Sequence, residues 1–186
     1  MNLPSDKECF RIIRDMEMMD HILDHSVMVS SVAAFLAKHL KPAYPALNVE
    51  LVKKAALLHD VTKTRSFATG EIHSKTGGEL LEDLGYPEIG NIIRQHVILD
   101  VRSDTAPVSE PEIVNYADKR VLHDHVVSLE ERLAYIKVRY GSKPVFRNQI
   151  QKMWEDTLAL ELKLFKTFDF TPDELPDRVG SDLQGD

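Results

Sequence analysis

Residues 53–63 read KKAALLHDVTK. An apolar run at helical spacing closes on adjacent His59 and Asp60, and Lys63 follows three residues later. An imidazole and a carboxylate at the end of a buried helix are costly unless something pairs with them, and a metal ion is one such partner. The dipeptide alone carries little. Its weight depends on which other ligands the fold can bring to the same place.

The chain has 186 residues, 43% of them apolar and 28% charged, which points to one globular domain large enough to bury a core. The net charge is −7 and no Lys/Arg stripe stands out, so duplex nucleic acid is an unsuitable partner. Cys9 is the one cysteine, which rules out an internal disulfide and a structural thiolate zinc site, and suits a cytoplasmic location. The opening MNLPSDKECF lacks the basic region and apolar run of a signal peptide. No apolar stretch approaches the roughly 20 residues that span a bilayer, so no membrane partner is expected.

Moving outward from the His-Asp pair, apolar residues recur with helical period on both sides. Ser5 and Glu8 form a capping box for a first helix to about Met18, and a second helix runs from Asp20 to His39. Asn48 caps the third helix, which ends at His59-Asp60. The segment Thr62–Gly70 reads as a polar loop. A fourth helix follows over Glu71–Leu84, its Gly77-Gly78 pair costing roughly 1 kcal/mol per glycine unless another backbone packs closely there. Pro87 opens a fifth helix carrying His96, and Asp100–Val108 is a second polar loop. Ser109, Pro111 and Glu112 start a sixth helix carrying Asp118. Ser128 with Glu131 starts a seventh, closed by Gly141, and Val145–Phe168 forms a long amphipathic eighth. The expected fold is therefore all-α, a single-domain bundle of about eight helices over residues 1–170. Within it the metal-site core covers about 20–122 and C-terminal helices cover 128–168. Residues 171–186, acidic and containing Pro and Gly, read as a disordered tail.

The ligand candidates fall on these helices in order: His25, His59-Asp60, His73, His96 and Asp118. Each flanks apolar residues and should face inward. Imidazole and carboxylate together suit first-row metals. Six protein ligands exceed what one catalytic metal with open positions needs, and they suit two metals bridged by a carboxylate, for which Asp60 is the natural choice. His21 shares a helix face with His25. It reads as a surface or supporting group, as do His39, His123 and His125.

The ordered set resembles the HD-domain superfamily of metal-dependent phosphohydrolases, through HSVMVSSVAAFLAK, ALLHDVTK, IHSKTGGELL, IIRQHV and IVNYADKRV. The resemblance covers roughly Asp20 to Leu122 and is greatest to small single-domain bacterial members with the binuclear ligand set. It implies a first metal on His25, His59, Asp60 and Asp118 and a second on Asp60, His73 and His96. The two would be divalent or transition ions, iron first, with Mn, Co, Ni, Zn or Mg as alternatives. It further implies hydrolysis of a phosphate ester or anhydride of a small molecule, a nucleotide or dinucleoside polyphosphate, by a metal-activated hydroxide. Asp60 and Lys63 would be catalytic. Lys63, Arg65, Arg94 and Lys119 would bind the phosphorylated substrate. Thr62 stands where many relatives have Gly, at a position that is not a ligand. A di-iron oxygenase of the myo-inositol oxygenase type resembles the same ligand order, and a non-enzymatic ligand-sensing domain is the third reading. A homodimer is left open.

Overall fold

The computed structural model describes residues 1–101, 103, 105–140 and 144–185. Among these, ten α-helices and one two-residue hairpin make up the regular structure, so the all-α expectation holds. The helix α1 (Asp6–Asp15) starts on the expected capping box, with the Ser5 N–H donating to Glu8 Oε2 at 2.8 Å. It stops earlier than predicted, because Glu17 adopts a left-handed φ of 51° and turns the chain into α2. The helices α2 (Asp20–Leu40) and α3 (Val49–Leu58) pack extensively on each other. Asn48 Oδ1 caps α3, accepting from the Leu51 N–H at 3.1 Å. Val29, Val32, Ala33 and Leu36 of α2 and Val52, Ala55 and Ala56 of α3 are buried in the core. Small residues on both helices suit a close approach of their backbones.

The segment Thr62–Gly70 is not a loop. It contains a helix, α4 (Lys63–Thr69), closed by Gly70 in the left-handed conformation that glycine adopts without strain. None of its seven residues is fully buried, so it leaves no apolar periodicity to read. The helices α5 (His73–Asp83) and α6 (Pro87–Gln95) form a tight antiparallel pair. Their crossing explains the glycines. A Cβ on Gly78 would lie 2.9 Å from the Gly90 carbonyl oxygen, and one on Gly90 would lie 2.5 Å from that of Gly78. The backbones touch where any side chain would hold them apart.

The helix α7 (Glu110–Lys119) begins at Ser109, whose N–H donates to Glu112 Oε2 at 2.9 Å. It ends before the hairpin of β1 (Val121–Leu122) and β2 (His125–Val126), antiparallel with Val121 opposite Val126. This hairpin was not foreseen, since two-residue strands show no alternation. His125 is therefore not on the helix face of Asp118, as continuous helix would have placed it. The helix α8 (Leu129–Tyr140) follows Ser128 as expected, while Gly141, its predicted stop, lies outside the described residues. The long helix α9 spans Pro144–Phe165.

The tail predicted to be disordered is folded over its described residues, 171–185. A 3₁₀ turn (Pro172–Glu174) leads into α10 (Leu175–Gly185), which lies on α2 with Leu175 and Val179 buried. Those two residues, four apart, form one small apolar stripe, too little to outweigh the acidic composition around it. Arg120, fully buried, ties the region together. Its guanidinium donates to the Pro172 carbonyl at 2.8 Å, to the Val127 carbonyl at 2.8 Å and to Tyr116 Oη at 2.6 Å, and lies 3.2 Å from Glu161 Oε2. Among the described residues no helix is long and apolar enough to cross a membrane.

Candidate metal centre

Five helices and a turn converge on one buried point. His25 comes from the middle of the first half of α2. His59 caps α3 and Asp60 follows it. His73 opens α5, His96 caps α6, and Asp118 lies near the end of α7. The same local device fixes two of the imidazoles. At the last turn of α3 and of α6 the capping histidine meets the carbonyl three residues back twice, through its backbone N–H and through Nδ1. His59 Nδ1 lies 2.7 Å from the Ala56 oxygen, and His96 Nδ1 lies 2.7 Å from that of Ile93. His25 Nδ1 is held 2.9 Å from the carbonyl oxygen of His123. With Nδ1 occupied by a carbonyl, each ring turns Nε2 toward the centre, the arrangement metal-ligating histidines require.

The centre is divided by Asp60. Its Oδ2 lies 3.3 Å from His59 Nε2. On that side Asp118 Oδ1 is 3.6 Å from His59 Nε2 and 3.1 Å from His25 Nε2. Asp60 Oδ1 faces the other pair, 3.2 Å from His73 Nε2 and 3.5 Å from His96 Nε2, and those two nitrogens are 3.2 Å apart. Ligands bound at about 2.1 Å around one ion lie roughly 3 Å apart when adjacent and about 4 Å when opposite. These spacings match.

Two atoms here show that a cation fits. His59 Nε2 and Asp60 Oδ1 are buried and have no hydrogen-bond partner. A buried carboxylate oxygen left so costs several kcal/mol, on the order of a charged group's desolvation. His25, His59 and Asp118 form one group of donor atoms and His59, Asp60 and His96 another, each within 4.8 Å.

The electrostatics of the ion-free centre follow from this crowding. Burial opposes charge on His59, but the Asp60 and Asp118 carboxylates outweigh it and push the imidazole up to about 9. Burial pulls His96 down to about 4. For Asp60 the charges of His59 and Lys63 overcome burial and hold it well below the usual carboxylate range. Lys63 Nζ lies 2.6 Å from Asp60 Oδ2.

Of the other predicted substrate contacts, Arg65 and Arg94 lie away from the centre, and Lys119 is buried with its Nζ 3.5 Å from Asp118 Oδ2. Arg65 is paired with Glu71 at 2.8 Å on the surface, and Arg94 is paired with Asp100. Lys119 is buried, donating to the His96 carbonyl at 2.8 Å and the Asn115 carbonyl at 3.1 Å. It braces the last turn of α6 from behind. Lys63 alone of the four lines the hollow in front of the centre, about 310 Å³ in volume. The walls also include residues the sequence did not single out, Arg132, Tyr135 and Arg139 of α8 and Phe67 of α4, together with His123, which it read as a surface or supporting group. Spacing of i, i+3 and i+7 shows that the α8 residues share a face, but nothing local says what that face looks at. His21, exposed, lines the same hollow, while His125 is exposed and paired with Asp124. A second hollow, about 420 Å³, lies between Leu51, Pro87 and Pro111 and has no imidazole or basic group in its wall.

A family model described as HD domain matches residues 22–136, which hold all six candidate ligands. Ribonuclease Y of Petrotoga mobilis is 27% identical over 174 residues, covering 87% of this chain and 30% of that protein. Ribonuclease Y of Aquifex aeolicus is 33% identical over 94 residues, 50% of this chain and 15% of that protein. An uncharacterised protein of Methanocaldococcus jannaschii is 27% identical over 135 residues, 66% of this chain and 79% of its own length. The chain thus spans less than a third of either ribonuclease. No solved structure matches significantly. The chain belongs to the HD-domain family, whose members are in general metal-dependent phosphohydrolases.

Proposed function

We propose that this protein hydrolyses a phosphate ester or anhydride of a small molecule, a nucleotide in first place, at a two-metal centre. The observation that carries this is the division of Asp60, whose two oxygens face two separate sets of imidazoles, in a place where His59 Nε2 on one side and Asp60 Oδ1 on the other have no hydrogen-bond partner. His25, His59, Asp60 and Asp118 would hold one ion, and Asp60, His73 and His96 the other. Ions bound there supply Lewis acidity toward a phosphoryl oxygen and lower the pKa of water.

The chain's own groups do the rest. Nδ1 contacts to the Ala56, Ile93 and His123 carbonyls keep the ligand rings from rotating. Lys63 at the rim, and Arg132 with Nη2 3.8 Å from Asp118 Oδ1, are cations placed to meet a phosphoryl group entering the hollow. Phe67 and Tyr135 give flat apolar walls of the kind that accept a base or sugar face. The relatives named ribonuclease Y act, by that name, on RNA, which supports a nucleotide as the substrate class.

The test is metal content of anaerobically purified protein, followed by phosphate release from a panel of nucleotides with that metal. About two ions per chain and release from one nucleotide class are expected. Asp60→Ala should lose both the metal and the activity. Two irons with O₂ consumption and no phosphate release would refute hydrolysis in favour of oxidation.

A further inference from the structure

The hollow in front of the centre is charged against the trend of the chain. The protein carries a net charge of −7, yet the wall presents Lys63, Arg132 and Arg139 against the single carboxylate of Asp60. Two of these cations face the centre. Lys63 lies 2.6 Å from Asp60 Oδ2, and Arg132 lies 3.8 Å from Asp118 Oδ1. Arg139 has no acidic partner among the described residues.

Position adds to charge. Arg132, Tyr135 and Arg139 share one face of α8, and seven helical residues rise about 10 Å, so Arg139 stands that much farther along α8 than Arg132. Between them the Tyr135 ring is set by an edge contact from His123 at 5.6 Å and by the Arg132 guanidinium at 5.9 Å. The centre, Lys63 and Arg132 already answer the charge of one phosphoryl group. Arg139 offers the same chemistry at a second point in the same small hollow.

We infer that Arg139, with Tyr135 beside it, forms a subsite for a second phosphoryl group of the substrate. On the reading of the centre as a phosphohydrolase, the substrate class is then a small molecule carrying two phosphoryl groups, with an aromatic or sugar body against Tyr135. The scissile group lies at the metals and the distal one at Arg139.

Calorimetric titration of the metal-reconstituted full chain tests this with three probes: adenosine 5′-monophosphate, adenosine 5′-diphosphate and adenosine 3′,5′-bisphosphate. Free metal is kept constant, at a temperature where phosphate release is too slow to alter the ligand. At least one doubly phosphorylated probe should bind about tenfold tighter than the monophosphate, the increment of one charge-assisted contact. Arg139→Gln should erase that advantage and leave the monophosphate unchanged, and Arg139→Lys should restore part of it. No advantage in the wild type, or one that survives Arg139→Gln, overturns the subsite while leaving the hydrolase reading intact. Equal weakening of all three probes by Arg139→Gln also overturns it, because the arginine would then act only through the general field of the hollow. Failure of all three to bind the metal-loaded wild type refutes the nucleotide hydrolase itself, and the subsite with it.

Discussion

Gly90→Ala separates the fold from the second half of the proposed metal centre. A Cβ at this position would lie 2.5 Å from the Gly78 carbonyl oxygen, against about 3.4 Å for an ordinary contact. The obstacle is backbone on both sides, so no side chain can swing aside, and α5 and α6 must part by about 0.9 Å. Overpacking of this kind costs about 1–3 kcal/mol, offset by up to about 1 kcal/mol because alanine is the better helix former. A net loss near 1–2 kcal/mol lowers Tm by roughly 2–8 °C in a chain of this size. The same parting acts on His73 and His96, which the two helices carry 3.2 Å apart at Nε2. Metal content should fall from two ions toward one, since His25, His59 and Asp118 do not depend on this crossing. Thermal melting and metal analysis on the same sample read both effects. Gly180→Ala in α10 is the control, because nothing lies within 4 Å of its added Cβ and it should not destabilise. A Gly90→Ala protein as stable as the wild type and still holding two ions would refute the reasoning.

Three further outcomes are expected. Lys63→Met removes the ammonium that occupies Asp60 Oδ2, so metal affinity should rise while substrate binding weakens; a loss of metal would contradict the role assigned to this lysine. The metal-free protein should be most stable near pH 6.5. The stabilisation from His59, whose pKa is raised to about 9, is complete below pH 6.5 and lost as pH climbs through 9. That from His96, lowered to about 4, is complete above pH 6.5 and lost as pH falls through 4, so chemical denaturation across pH should give a maximum rather than a slope. Arg120→Leu strands Glu161 without its cation and cuts the link to Pro172, and should cost about 3–5 kcal/mol in urea unfolding; a neutral effect would mean that the C-terminal segment is not held as described.

The side chains that converge on the candidate centre were legible because chemistry confined them. Imidazoles and carboxylates embedded in apolar helical stretches are expensive, and six of them in a fixed order leave few readings. The helices around them were legible for a similar reason: Ser5, Asn48 and Ser109 mark starts through hydrogen bonds made within three residues. Even the Gly77-Gly78 pair announced a close backbone approach, although only the fold shows that Gly90 is its partner. By contrast, α4 and α10 were missed because each buries too little to set a period, and the hairpin after Asp118 because two residues cannot alternate.

The cations were the least legible. Arg65, Arg94, Lys119, Arg132 and Arg139 are alike in a sequence, since each is a long side chain with a charge at its end. What decided between them was the set of neighbours brought by remote segments. Glu71 and Asp100 draw the first two outward, two carbonyls of α6 and α7 bury the third, and the turn through β1 and β2 folds α8 back over the hollow so that the last two line it. The sequence by itself determined the helical class and picked out the imidazoles and carboxylates that meet at the candidate metal centre, because burial energy and local capping are properties of neighbouring residues. The tertiary structure alone decided which charges face the hollow, because that depends on how helices far apart in the chain pack together.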